Sequence, residues 1–269
     1  MPDKKLNILF IGDVSGKIGR LVIKSVLAKL RKSKRIDVVI ANADNIAHGK
    51  GATEATIREL ISYGVDFFTS GDHAFDRMQS ANAVYDSGLP VIRPQNFPPG
   101  TLGKGYSVLK TVYGDVLIIN VLGRTYMRMD YDCPFRAVDN VLAKFAKAKF
   151  SAIIVDIHAE ATSEKVAIRE YLKGRVTAII GTHTHVMTAD AGIYDNIAYI
   201  TDVGMTGAED SVIGLEKQGI INTFLTQVRS PHVMIDSGKA QLNAVFIEVP
   251  IGKQGYLEIS TIRKSIIIK

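Results

Sequence analysis

Short apolar runs alternate with amphipathic stretches along the first half of the chain. Residues 6–12, 37–41 and 65–70 are dense in Ile, Val, Leu and Phe and have the length of buried strands. Between them, residues 20–30 and 53–63 place apolar side chains three and four positions apart, the spacing of a helix with one face on a core. This βαβαβ rhythm predicts parallel strands covered by helices. Residues 106–113 and 116–122, separated by Gly114-Asp115, read as an antiparallel hairpin, which makes the sheet mixed. The rhythm resumes with a helix over 136–149, a strand over 152–157, a helix over 163–173 and strands over 176–180 and 197–201. Residues 240–250 and 256–268 alternate apolar and polar positions around a glycine-bounded hinge at 252–255, as a two-stranded ribbon does. No repeat, linker or low-complexity segment interrupts the pattern, so residues 1–269 are expected to form one domain.

Ligands of α/β sheets bind beyond the carboxyl ends of strands, and here those ends are rich in metal-binding residue types. Asp13 follows the first strand, Asn42, Asp44 and Asn45 the second, and Asp72 with His73 the third; His158 and the pair His183 and His185 follow two later ones. Taken singly, an Asp after a strand is more often a helix cap or turn former. Jointly, Asp13, Asp44, Asp72, His158, His183 and His185 point to one centre. Carboxylate and imidazole donors without thiolate suit Fe, Mn, Zn or Mg, and six or seven of them exceed the needs of one tetrahedral ion. Two ions ~3.5 Å apart, bridged by a carboxylate and a hydroxide, would use them all and leave room for phosphate oxygens.

Composition narrows the picture further. The 269 residues are 46% hydrophobic, enough for a large core. The single cysteine, Cys133, cannot pair within the chain, which favours a reducing cytoplasm. Met1-Pro2-Asp3-Lys4-Lys5 leads into an apolar run that stops at Asp13, too short for a signal sequence or a membrane span. A net charge of +6 would suit a polyanion, yet the densest basic stretch, residues 29–35, reads as the solvated end of a helix, so a nucleic-acid partner is not favoured. Gly12, Gly16, Lys17 and Gly19 follow a strand as a phosphate loop would, but their spacing fits neither the Walker nor the dinucleotide pattern. Arg93-Pro94-Gln95-Asn96 offers donors for a substrate phosphate or base, or else a rigid turn.

The blocks Gly12-Asp13-Val14 with Gly16 and Gly19-Arg20, Asn42-Ala43-Asp44-Asn45, Gly71-Asp72-His73, residues 156–165, residues 181–185 and residues 201–207 resemble, in order, the YmdB-like branch of the calcineurin-like metallophosphoesterases. The resemblance implies an α-β-β-α sandwich of two mixed sheets flanked by helices, with two metal ions, usually iron or manganese. It also implies hydrolysis of a small phosphate ester, a cyclic nucleotide such as 2′,3′-cyclic AMP. Carried onto this chain, Asp13, Asn45 and His185 would hold one ion, Asp72, His158 and His183 the other, and Asp44 would bridge them. His73 would protonate the leaving oxygen, with Asp76 orienting its ring, and Asp202 and Glu160 are candidates for fixing imidazole tautomers. Two positions depart from the pattern, which usually has Glu in place of Asp44 and Asn in place of Asp72. The alternatives are a phosphomonoesterase or nuclease with the same centre and a non-catalytic, metal-containing nucleotide sensor.

Overall fold

The computed structural model describes residues 4–252 and 255–269. Met1-Pro2-Asp3 and the hinge residues Lys253 and Gln254 lie outside the described residues. In chain order the elements are β1 (Lys5–Ile11), α1 (Gly16–Lys34), β2 (Val38–Asn42), α2 (Glu54–Ser62), β3 (Phe67–Thr69), α3 (Met78–Tyr85), β4 (Tyr106–Thr111), β5 (Gly114–Leu122) and α4 (Pro134–Lys144). They continue with β6 (Ala152–His158), α5 (Thr162–Tyr171), β7 (Ala178–Thr182), β8 (Gly192–Tyr194), β9 (Ile197–Ile200), β10 (Gly207–Ala208), α6 (Lys217–Thr226), β11 (Gly238–Pro250) and β12 (Glu258–Ile268).

The strands form two six-stranded mixed sheets. In the first, β1, β2 and β3 run parallel, while β11 lies antiparallel to β1 on one side and carries β12 on the other. The expected C-terminal ribbon therefore exists, but its first strand is built into the sheet interior. In the second sheet, β5, β6, β7 and β9 are parallel, with β4 and β8 as antiparallel edges.

Period-two alternation sorts each strand's apolar side chains between two cores. Leu6, Ile8 and Phe10 of β1 and Val38 and Ile40 of β2 face Val116, Ile118, Ile154 and Ile180 of the second sheet, making a dry layer between the sheets. The residues in the other phase, including Leu9, Ile11, Val39 and Ala41, pack under Ile18, Val22, Leu27, Ile57 and Leu60 of α1 and α2. Leu117, Ile119, Val155, Ile157 and Ile179 do the same under Val138, Val141 and Ile168 of α4 and α5. The result is the expected α-β-β-α sandwich.

Helix α1 begins earlier and ends later than its apolar stripe. Its last turn holds Arg31, Lys32 and Lys34, where cations favour the helix dipole, and Arg35 caps it with a left-handed φ of 52°. The basic run is thus a helix end, as its pattern suggests. Helices α3 and α6 and the short strands β8 and β10 have no counterpart in the sequence pattern. The reason is physical: α3 buries only Ala81 and Val84, and α6 buries nothing, so neither writes a stripe into the sequence. Among the described residues, no helix is long and apolar enough to cross a membrane.

The interlocked middle layer makes a large-to-small change there costly. Phe10 has no exposed surface, and Phe10→Ala is expected to lower stability by about 3–5 kcal/mol, seen as an earlier urea midpoint at an unchanged slope.

Candidate metal centre

The inter-sheet layer changes character at the carboxyl ends of its strands. Continuing the inward phase by one more step gives Asn42 on β2, Asn120 on β5, Asp156 on β6 and Thr182 on β7, all of them fully buried. Each finds a partner. Asn42 Nδ2 donates to Asp156 Oδ2 at 3.1 Å, Thr182 Oγ1 donates to Asp156 Oδ1 at 2.8 Å, and Asn120 Oδ1 accepts from Ser70 N at 3.1 Å. Asn42 Oδ1 also accepts from Asp44 N at 3.0 Å, which fixes the turn that carries Asp44. This polar floor joins the two sheets beneath the loops that hold the expected ligands.

All eight expected site residues sit on those loops or strand ends, and the fold brings them together. His158 Nε2 lies 3.1 Å from His183 Nδ1, 3.3 Å from Asp72 Oδ1 and 3.5 Å from Asp44 Oδ2. Beside this group, His185 Nε2 is 3.3 Å from Asn45 Oδ1 and 3.9 Å from Asp13 Oδ1. Asp13 Oδ1 is buried with no hydrogen-bond partner. Potential ligand atoms of Asp72, His158 and His183 lie within 4.8 Å of one another, as do those of Asp44, Asp72 and His73. Gly71 allows the close approach, because a Cβ there would stand 2.3 Å from His158 Nε2.

Partners on the outer side of the rings bear on their tautomers. His158 Nδ1 meets Thr182 Oγ1 at 2.9 Å, and that hydroxyl has already committed its proton to Asp156, so His158 is the donor. His183 Nε2 lies 3.2 Å from Glu160 Oε2, and His185 Nδ1 donates to the Ile213 carbonyl at 3.2 Å. With those nitrogens protonated, the three inward nitrogens present lone pairs to one another and to carboxylate oxygens. Such an arrangement is repulsive unless cations lie among them. The orphaned Asp13 oxygen and the all-oxygen-and-nitrogen donor set fit divalent metal ions for the same reason.

Burial and crowding displace the titration of several of these groups in both directions. Burial pushes the Asp44 carboxyl well above the ordinary range, and the charges of Asp72 and Asp13 push it further. Burial also opposes ionisation of Asp72, but without a cation in the cluster any proton that His158 or His183 turns toward it outweighs burial and holds that carboxyl below the usual range. Burial lowers His158, keeping it neutral as a ligand must be.

His73 stands somewhat apart. Its backbone N–H donates to Asp44 Oδ1 at 3.1 Å, while its ring Nδ1 pairs with Asp76 Oδ2 at 2.8 Å. Arg128 Nη1 approaches the same Asp76 oxygen at 3.1 Å. Asp76 therefore orients the ring as expected, with a helper the sequence pattern did not single out.

Other expectations need correcting. Asp202 touches no imidazole; its carboxylate is spent on Thr184 N, Gly204 N and Lys165 Nζ. Arg93 and Asn96 are buried, and the Arg93 guanidinium donates to the carbonyls of Pro94, Thr101 and Leu102. They bind a loop together, in keeping with the rigid-turn alternative. The glycines after β1 serve close packing: a Cβ on Gly19 would fall 2.4 Å from the Thr206 carbonyl oxygen. The floor residues Asn120 and Thr182 were missed, although a polar residue in the inward phase of an otherwise apolar strand was their visible signal.

Two layers of sheet with candidate metal-binding side chains gathered at their carboxyl ends make a metallophosphoesterase-like fold. A putative 5′-nucleotidase from Staphylococcus aureus shares the fold at a TM-score of 0.64 and 13% identity, covering 98% of this chain and 54% of that one. The chain belongs to the YmdB-like protein family, whose model matches residues 9–262. It is 42% identical over 246 residues to a 2′,3′-cyclic-nucleotide 2′-phosphodiesterase of Bacillus subtilis, covering 91% of each chain. The structure of a novel phosphatase from Mycoplasma pneumoniae superposes at a TM-score of 0.89 with 35% identity, covering 98% of this chain and 94% of that one.

The floor carries a pH signature. Burial pushes Asp156 up to about 7, against hydrogen bonds that favour its charged form. In the unfolded chain it ionises near pH ~4, so between those values the folded form holds the extra proton. Its contribution to stability is complete below that lower value and is lost as pH rises to about 7. In metal-free protein, Asp156→Asn should flatten this fall, compared with wild type by urea midpoints at pH ~5 and ~7.

Proposed function

We propose that this chain is a two-metal hydrolase of phosphate esters, with a cyclic nucleotide of the 2′,3′ type as its favoured substrate. The observation that carries this reading is the convergence of three inward imidazole nitrogens on carboxylate and amide oxygens, each ring tied back on its outer side. Asp13, Asn45 and His185 would hold one ion, Asp72, His158 and His183 the other, with Asp44 between them. The name of the Bacillus subtilis relative supports the cyclic-nucleotide substrate, and the Mycoplasma pneumoniae phosphatase supports the wider ester class.

Bound there, the ions would supply Lewis acidity toward the phosphate and a more acidic water near neutral pH. Asp13, Asp44 and Asp72 bring up to three negative charges, a load suited to a mixed Fe³⁺/M²⁺ pair, so iron or manganese is favoured over zinc or magnesium. His73 keeps Nε2 free because Nδ1 is engaged by Asp76. A proton held there can pass to the leaving ribose oxygen, while the Asp76 carboxylate keeps the ring oriented. A cytoplasmic location follows from the same reading of the lone Cys133.

Hydrolysis of 2′,3′-cyclic AMP, 3′,5′-cyclic AMP, a chromogenic diester and a chromogenic monoester, with metals quantified, tests the proposal. The 2′,3′-cyclic diester is expected to turn over fastest. His158→Ala should lose both metal and activity, whereas His73→Ala should keep metal and lose about 10²- to 10⁴-fold in rate. Preferred turnover of the monoester would move the assignment to a phosphomonoesterase. Nucleotide binding without turnover in metal-loaded protein would make it a sensor.

A further inference from the structure

Lys165 and Asp202 are both fully buried, and the catalytic scheme uses neither. Lys165 Nζ lies 2.8 Å from Asp202 Oδ2 and donates at 2.8 Å to the carbonyl of Thr182. The same Asp202 oxygen accepts from Thr184 N at 2.9 Å, and its other oxygen accepts from Gly204 N at 2.8 Å. Thr182 C=O and Thr184 N–H belong to the two peptide planes on either side of the His183 Cα. An ammonium holds one plane and a carboxylate holds the other, and the two are bonded to each other.

What lies between those planes is strained. His183 has φ of +104°, a region that side-chain-bearing residues rarely adopt. Glycine would enter it freely, but glycine has no imidazole. The ring must nevertheless point from this backbone toward Asp72 and His158.

We infer that the Lys165–Asp202 pair is a positioning device that holds His183 in its left-handed conformation and thereby sets the affinity of the metal centre. This rests on the metal-centre reading above. A buried ion pair is a poor means of stabilising a core, since apolar residues of the same volume often do as well or better. Here the pair's remaining bonds run to the peptides that aim a ligand, which is the use a buried pair serves better than apolar packing would. Lys165 stands on α5 and Asp202 just past β9, so both anchors belong to the second sheet and its helix layer.

The test is a Mn²⁺ titration of full-length, metal-free protein against a chromogenic chelator, at a temperature where circular dichroism shows complete folding. Wild type should take up two ions. Lys165→Met, which frees the Thr182 side, and Asp202→Asn, which weakens the Thr184 side, should each bind Mn²⁺ about 10- to 100-fold more weakly. A purely structural pair would lower Tm and leave the affinity of the folded variant unchanged, and that result would overturn the inference. Should neither variant fold, amide hydrogen exchange of wild type decides: Thr184 N–H is expected to be strongly protected before metal is added, and exchange as fast as in an open loop would refute the clamp. Failure of wild type to bind Mn²⁺ would instead sink the metal centre itself.

Discussion

Mutual repulsion among the donors is the constraint on which the rest of the structure depends. Three carboxylates, an amide and three imidazoles converge with lone pairs facing inward, and none of these groups would choose that company in water. The chain holds them by giving every outward polar atom a fixed partner. Asp156 and Thr182 secure His158 from below, Glu160 and Ile213 secure His183 and His185 from the sides, and Asn42 pins the turn of Asp44. The two sheets are the frame for this. Their dry middle layer brings the strand ends to within hydrogen-bonding range, and the floor residues close the gap.

Burial makes the same bonds stronger and their loss more damaging. The centre therefore combines order with stored electrostatic stress, which ions of positive charge would relieve. This explains why Asp44 and Asp72, both carboxyls in one cluster, are driven in opposite directions by their surroundings.

Much of this was legible in the sequence. The short apolar runs of β1, β2, β5, β6 and β7 marked them as buried strands, while their division between two sheets followed only from the family resemblance. Asp13, Asp44, Asp72, His158 and His183 could be located because they follow β1, β2, β3, β6 and β7. What escaped notice has little hydrophobic signature. Helix α6 buries no side chain, β8 and β10 are too short to show a period, and Lys165 looks like any helix-surface lysine until the fold buries it. The same holds for Arg128, whose partner Asp76 lies fifty-two positions away. The inward role of Arg93 was hidden too, since a charged residue after a strand suggests a ligand contact more readily than a bond to its own loop.

The position of β11 has a consequence for how the protein comes into being. Its residues pair with β1 along the whole register from Lys5 with Pro250 to Ile11 with Ala244, and Gly12 N donates to the Asn243 carbonyl at 3.0 Å. Strand β1 thus waits for the distant β11 before its second edge is covered. Such distant pairing is slow to form and leaves an open strand edge meanwhile. The turn that presents Asp13 is closed earlier in the chain, by Thr206 N donating to the Asp13 carbonyl at 2.8 Å. A nascent chain that stalls before residue 238 would thus carry every candidate metal-binding residue on a sheet whose β1 edge is still open.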